Sequence, residues 1–190
     1  EGGRYVLMRR APDGRVTQVT PPGFNVRTRV HEYGGGAFAI AEGTLYFSNF
    51  ADQRLYRQPL GAEPQPITPA KEFFFADGVI DRPRRRLICV REDHTPTDRE
   101  AVNTMVAVNL EGDDSGGQVL ISGNDFYSSP RLNPNGARLA WLTWNHPNLP
   151  WDGAELWVGD LNADGTVGRA QRVAGGKDES IFQPEWSPDG

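Results

Sequence analysis

Ser129-Pro130-Arg131-Leu132-Asn133-Pro134-Asn135-Gly136 returns near the end of the chain as Gln183-Pro184-Glu185-Trp186-Ser187-Pro188-Asp189-Gly190. A worn copy, Ala76-Asp77-Gly78-Val79-Ile80-Asp81-Arg82-Pro83, precedes both. In each, a short strand runs into a turn rich in Pro, Gly, Asn or Asp. Self-similarity at this scale is the signature of a repeat architecture, in which one supersecondary unit recurs and its neighbours bury a shared core.

Working outward from the repeat, the chain parses onto four-stranded antiparallel blades, with strands A to D running from a central channel to the rim. Residues 5–10 and 15–20 read as strands C and D of a first blade, joined by Ala11-Pro12-Asp13-Gly14, a sequence with turn chemistry. The next blade has strands at 37–41, 44–48, 54–58 and 65–68. Pro66 is acceptable there because an edge strand has N–H positions that need no partner. A third blade places strands at 75–80, 87–91, 104–108 and 118–121, and a fourth at 127–132, 138–142, 155–159 and 171–174. A fifth opens with a strand over 181–186. The expected fold is therefore all-β: a β-propeller fragment of about three full blades with partial blades at both ends. Its blade pieces are residues 1–20, 37–68, 73–121, 127–174 and 181–190. A sandwich of short strands is the competing architecture, and the recurring A–B phrase argues against it.

Strand direction sorts the loops. D–A connections and B–C loops emerge on one face, and A–B and C–D turns on the other. The long, irregular connections, 21–36, 92–103 and 144–154, all belong to the first face, and they carry all three histidines, His31, His94 and His146. Long loops on a rigid scaffold are where binding residues collect, so this face is expected to carry the function.

Composition narrows the classes. The 190 residues include 22 Gly and 15 Pro, which suits many strands and turns rather than a helical bundle. A net charge of −5 argues against a broad nucleic-acid footprint. No apolar stretch approaches the length of a membrane-spanning helix. The cluster Arg82, Arg84, Arg85, Arg86 sits at a turn and reads as solvated. Cys89, the only cysteine, has no partner for an internal disulfide, which favours a reducing compartment; a cytoplasmic location is expected. A chain that starts without Met and stops on a turn reads as a fragment.

Candidate chemistry concentrates in two loops. Arg29-Val30-His31-Glu32-Tyr33 supplies a cation, an imidazole, a carboxylate and a phenol. The set fits either a site for a ligand amine or carboxylate or a structural hydrogen-bond network where the strand begins. Gly34-Gly35-Gly36 follows no phosphate-loop pattern and suits close backbone packing at the crowded centre. Trp144-Asn145-His146-Pro147-Asn148-Leu149-Pro150-Trp151-Asp152-Gly153 is either a self-packed loop or a stacking surface. The histidines lack metal-ligand spacing and read as independent loop residues. Asp160-Leu161-Asn162-Ala163-Asp164-Gly165 opens like a calcium loop, but Gln171 stands where the bidentate Glu belongs, so a C–D turn is expected. No metal, cofactor or catalytic residue is assigned, and no G-x-S-x-G elbow occurs.

Three segments carry a resemblance: Glu1 to Leu7, Arg29 to Ala37, and Leu142 to Trp157. In them the chain resembles the propeller half of the prolyl oligopeptidase family of serine peptidases, in the acylaminoacyl-peptidase and dipeptidyl-aminopeptidase-like branch. The resemblance implies a propeller that covers the active site of an α/β-hydrolase domain in the same polypeptide, that domain being absent from this chain. It implies a propeller that restricts access to short or unfolded peptides and contributes substrate contacts. The substrate-binding or gating candidates are Arg29, His31, Glu32, Tyr33, Trp144, His146 and Trp151, with Glu32 proposed to bind a substrate's free amino terminus. The implied partners are a peptide substrate and the hydrolase domain, with no nucleic acid and no membrane. The alternative is a non-enzymatic, TolB-like propeller acting as a protein-binding scaffold.

Overall fold

The computed structural model describes residues 3–190; Glu1 and Gly2, which open both the 1–20 piece and the first resembling segment, lie outside the described residues. The described residues form strands and no helix. β1 (Met8–Arg10) and β2 (Val16–Gln18) make a hairpin. β3 (Phe38–Ala41), β4 (Thr44–Ser48), β5 (Leu55–Pro59) and β6 (Gln65–Pro66) make a first four-stranded sheet. β7 (Phe73–Asp81), β8 (Arg86–Asp93), β9 (Val102–Asn109) and β10 (Gln118–Ile121) make a second. β11 (Phe126–Leu132), β12 (Arg138–Trp144), β13 (Glu155–Leu161) and β14 (Val167–Gly175) make a third. Each sheet is an antiparallel meander of consecutive strands, as propeller blades are.

The apolar patterning explains how the sheets stack. A strand with one solvated face alternates apolar and polar residues; one covered on both faces is apolar throughout. Leu87-Ile88-Cys89-Val90 of β8 is such a run. Leu87 and Cys89 enter a core shared with the first sheet, with Tyr46, Leu55, Phe73, Phe75 and Val106. Ile88 and Val90 enter the core shared with the third sheet, with Val30, Met105, Tyr127, Leu139 and Trp141. A third cluster, Val26, Leu45, Phe47 and Tyr56, packs the first sheet against Leu7 and Val19 of the hairpin region. Each fully buried aliphatic or aromatic side chain contributes about 1.5–3 kcal/mol.

The repeated phrase has a backbone meaning that its turn residues conceal. Asp77, Ser129 and Gln183 each stand directly before the first Gly or Pro of their copy, and all have left-handed φ, at 57°, 52° and 53°. In β7 and β11 that residue lies in a bulge, between Ala76 and Val79 and between Ser128 and Arg131. A Gly or Pro follows each time, as a bulge allows. β7 lies between β3 and β11, and Asp77 ties both neighbours to it. Its Oδ1 accepts from Gly36 N–H (2.6 Å), its Oδ2 from Ser129 N–H (3.0 Å), and its own N–H donates to Gly36 O (2.8 Å). A Cβ on Gly36 would stand 3.0 Å from Asp77 Oδ1, so the glycine run is where backbone and carboxylate meet closely.

Four details differ from the sequence reading. Residues 181–186 make no strand. Trp186 Nε1 instead donates to Arg131 O (2.9 Å), and Glu185 pairs with Arg131 (3.1 Å). The arginine cluster is only half solvated. Arg82 and Arg85 are exposed, whereas Arg86 is buried against the fully buried Asp81 (2.7 Å), which also takes Arg84 (3.3 Å). A buried carboxylate recruits the cations. Trp144 ends β12 rather than opening a loop, because Phe126 stands opposite it in register. β14 starts at Val167, four residues before the expected strand, since the 160–165 segment closes as a tight turn. There Gly165 N–H donates to Asn162 O, and Thr166 N–H to Asp164 Oδ1.

Candidate functional site: an acidic aromatic basin

On the face from which the D–A and B–C loops emerge lies an open basin of about 930 Å³. Four segments converge on it, the 29–33 turn, the 92–103 stretch, and the 124–126 and 144–149 segments, together with Phe74.

The 29–34 turn is tightly wound. Glu32 N–H donates to Arg29 O (2.8 Å), Tyr33 N–H to His31 O (2.7 Å) and Gly34 N–H to Val30 O (2.9 Å). His31 and Glu32 have φ of 56° and 62°, two successive non-glycine residues in left-handed geometry. Such residues cost roughly 1–3 kcal/mol each and persist only where their surroundings over-determine them. One restraint comes from a neighbouring sheet: His31 N–H donates to Oε1 of the buried Glu92 in β8 (2.7 Å). Asn103 and Thr104 of β9 are buried near the same end of that sheet. The turn's product is an exposed Glu32 carboxylate and an exposed Tyr33 ring at the basin wall.

The His31 ring is wedged among aromatics, with centroids 5.2 Å from Trp144, 5.8 Å from Phe126 and 5.6 Å from Tyr33. Phe126 and Trp144 are a cross-strand pair, stacked at 5.5 Å and 17°. Burial holds the His31 imidazole below its usual range, outweighing the opposing pull of Glu92 and Asp77. His31 is therefore a neutral ring in an aromatic nest rather than a cation. Burial, with Asp77 and Glu92 nearby, pushes the Tyr33 phenol up, so it remains a donor.

The other two histidines each pair with a carboxylate. His94 Nε2 lies 3.1 Å from Glu92 Oε2, and its ring covers Phe74 at 4.1 Å. His146 Nδ1 lies 3.1 Å from Asp125 Oδ2, which also accepts from His146 N–H (2.9 Å). Four carboxylates, Glu32, Glu92, Glu100 and Asp125, face two guanidiniums, Arg29 and Arg99, so the basin is acidic when its histidines are neutral. An acidic, aromatic-walled basin suits a ligand with an amine and apolar side chains.

Of the residues singled out from sequence, Arg29, His31, Glu32, Tyr33, Trp144 and His146 line the basin together. Trp151 does not line it; it is 61% exposed, with its ring 6.2 Å from that of Tyr33, which does. Arg29 is held over the Phe50 ring at 4.6 Å. Glu92, Asp125 and Phe126 were not singled out. A signal for Glu92 exists: Glu92 and His94 are two apart at a strand end, and so share a face. Asp125 becomes visible only once β11 and β12 are set in register.

No family model and no curated protein matches the sequence. Solved structures do. Over its full length the chain is similar to the crystal structure of puromycin hydrolase, with 36% identity and a TM-score of 0.90, and it spans 32% of that chain. A mutant of that hydrolase complexed with PGG gives a TM-score of 0.91. A puromycin-hydrolysing peptidase from Mycobacterium tuberculosis matches 94% of this chain and 31% of its own, with 35% identity and a TM-score of 0.81. A chain of a nidogen/laminin complex, at 16% identity and a TM-score of 0.60, shares the fold alone. The chain thus spans about a third of the length of the peptidases it matches.

Stacked four-stranded sheets with a basin on the long-loop face, matched end to end by peptidases, define the class: a peptidase-associated all-β module. The chain belongs to the prolyl oligopeptidase family of peptidases, with the puromycin hydrolases as its relatives.

Proposed function

We propose that this chain is a run of blades from the propeller of a serine peptidase, and that its basin face gates peptide substrates and orients them toward a hydrolase domain elsewhere in the same polypeptide. The observation that carries the reading is the convergence of an acidic carboxylate set and an aromatic wall on the long-loop face, in a chain 36% identical to puromycin hydrolase over its full length. The blades are the hairpin with residues 1–20, then 37–68, 73–121, 127–174, and a last one begun at 181–190.

In this reading the chemistry is acyl transfer to a serine and then to water, with the serine, its base and its oxyanion hole outside this chain. The chain's own residues select and hold. Glu32, exposed at the wall, binds the substrate's free amine; Tyr33, Trp144, His146 and Trp151 offer rings to its side chains; Arg29 and His31 shape the wall. The parent acts in the aminopeptidase or acylaminoacyl-peptidase manner. A cytoplasmic site suits Cys89, which is buried and whose thiol is pushed well up by burial.

The test is to assay the full-length polypeptide on aminoacyl and acyl-aminoacyl reporter amides and to label it with a fluorophosphonate. Hydrolysis with stoichiometric labelling is expected. A folded protein that is inert to both refutes the peptidase reading.

A further inference from the structure

The feature left over by this reading is Glu92. It is 5% exposed, it lies on β8 rather than on a loop, and it is too enclosed to be a substrate's first contact. Both its oxygens are engaged, and on different segments. Oε1 accepts from His31 N–H at 2.7 Å, and Oε2 lies 3.1 Å from His94 Nε2. The first bond crosses from the second sheet to the turn that leads into the first sheet. It lands on the first of the two left-handed residues, next to Glu32. The His31 ring then presses on Phe126 and Trp144 of the third sheet. One buried carboxylate thereby sets a turn whose backbone alone would not favour its conformation.

We propose that Glu92 is a positioning residue: it fixes the 29–34 turn, and through it the direction in which Glu32 and Tyr33 face the basin. The consequence for specificity rests on the amine-binding role of Glu32 proposed above. Without the His31–Glu92 bond the turn relaxes, Glu32 leaves the wall, and the preference for free-amine substrates falls. Glu32 touches the substrate; Glu92 does not.

The side chains that test this are set by the geometry. Glu92→Leu removes both acceptors. Glu92→Gln keeps both contacts, because its amide oxygen accepts from His31 N–H and its amide N–H donates to His94 Nε2. In the full-length protein, Glu92→Leu is expected to speed hydrogen exchange over residues 29–34 at least about tenfold, with β8 and β9 still protected. It is also expected to raise KM for free-amine aminoacyl reporters about tenfold, leaving kcat and the KM of acyl-blocked reporters within about twofold. Glu92→Gln is expected to restore both readouts. Glu92→Leu combined with Glu32→Gln is expected to add nothing to either single change in KM, because both remove one interaction. Glu92→Thr serves the same comparison if the leucine variant lowers the folded fraction.

Unchanged exchange over 29–34 overturns the proposal. So does an equal rise in KM for free and blocked reporters when Glu32→Gln alone discriminates between them. Faster exchange, with neither Glu92→Leu nor Glu32→Gln discriminating, supports the positioning of the turn and refutes the amine reading instead.

Discussion

Asp77 is the residue on which the three inner strands depend, and replacing it separates two explanations of the bulge. Its carboxylate accepts two backbone N–H bonds, from Gly36 at 2.6 Å and Ser129 at 3.0 Å, one from each neighbouring strand region. Hydrogen bonds to a charged group contribute about 1.5–3 kcal/mol each, and the half-buried setting argues for the lower end. Asp77→Asn keeps the side chain's volume and its tolerance of left-handed φ, but its amide accepts only one of the two bonds; a loss of about 1.5–2 kcal/mol is expected. Asp77→Gly keeps the φ of 57° without steric cost and loses both bonds, for about 3 kcal/mol. Asp77→Ala adds roughly 1–2 kcal/mol of left-handed strain. The expected order of damage is therefore Asn, then Gly, then Ala. In a cooperative unit near this chain's size each kcal/mol moves Tm by roughly 2–4 °C, and proportionately less in a larger one. Thermal unfolding of the full-length protein by near-ultraviolet circular dichroism reads the order. If Asp77→Gly is neutral, the carboxylate bonds carry nothing and only the backbone shape matters, which refutes the reasoning.

Asp81 is fully buried against Arg86 and Arg84, so Asp81→Asn should cost about 3–5 kcal/mol by stranding buried positive charge, and adding Arg86→Met should recover part of it in denaturant titrations. His31 predicts a pH effect. Because burial lowers its pKa from 6.5, the unfolded chain binds the proton more readily than the folded protein does. Stability is then complete above about pH 6.5 and falls as pH drops toward the lowered folded value. His31→Phe should shrink the drop in Tm between about pH 7.5 and pH 5.5, and an unchanged drop would assign it to other groups.

The inner strands were legible because β8, β9 and β12 are buried on both faces. Runs such as Leu87 to Val90 and Leu139 to Trp144 announce themselves without alternation, and the turns between them carry Pro, Gly, Asn and Asp. Strand direction then placed His31, His94 and His146 on one face, where they line one basin. What could not be read was whatever depends on a partner strand. Residues 181–186 have the pattern of a strand, but their contacts are side-chain ones, from Trp186 and Glu185 to Arg131. Trp144 looked like loop until Phe126 took its place opposite. Arg86 looked solvated because Asp81, which buries it, lies across the turn on β7. The bulge at Asp77 and Ser129 left only a faint trace, a Gly or Pro just after a polar residue, while the visible repeat was in the turns. Glu92 was hidden for a similar reason: its role depends on a turn far away in sequence.

The central claim is that the basin face selects substrates by their amino terminus, with Glu32 as the contact. The most direct measurement compares Glu32→Gln with the wild-type full-length protein on matched reporters, one with a free amine and one acylated. A lost charge contact of about 1.4 kcal/mol corresponds to a tenfold change. The account predicts a KM about tenfold higher for the free-amine reporter and nearly unchanged for the acylated one, with kcat preserved for both. Equal effects on the two reporters, or none on either, would contradict it.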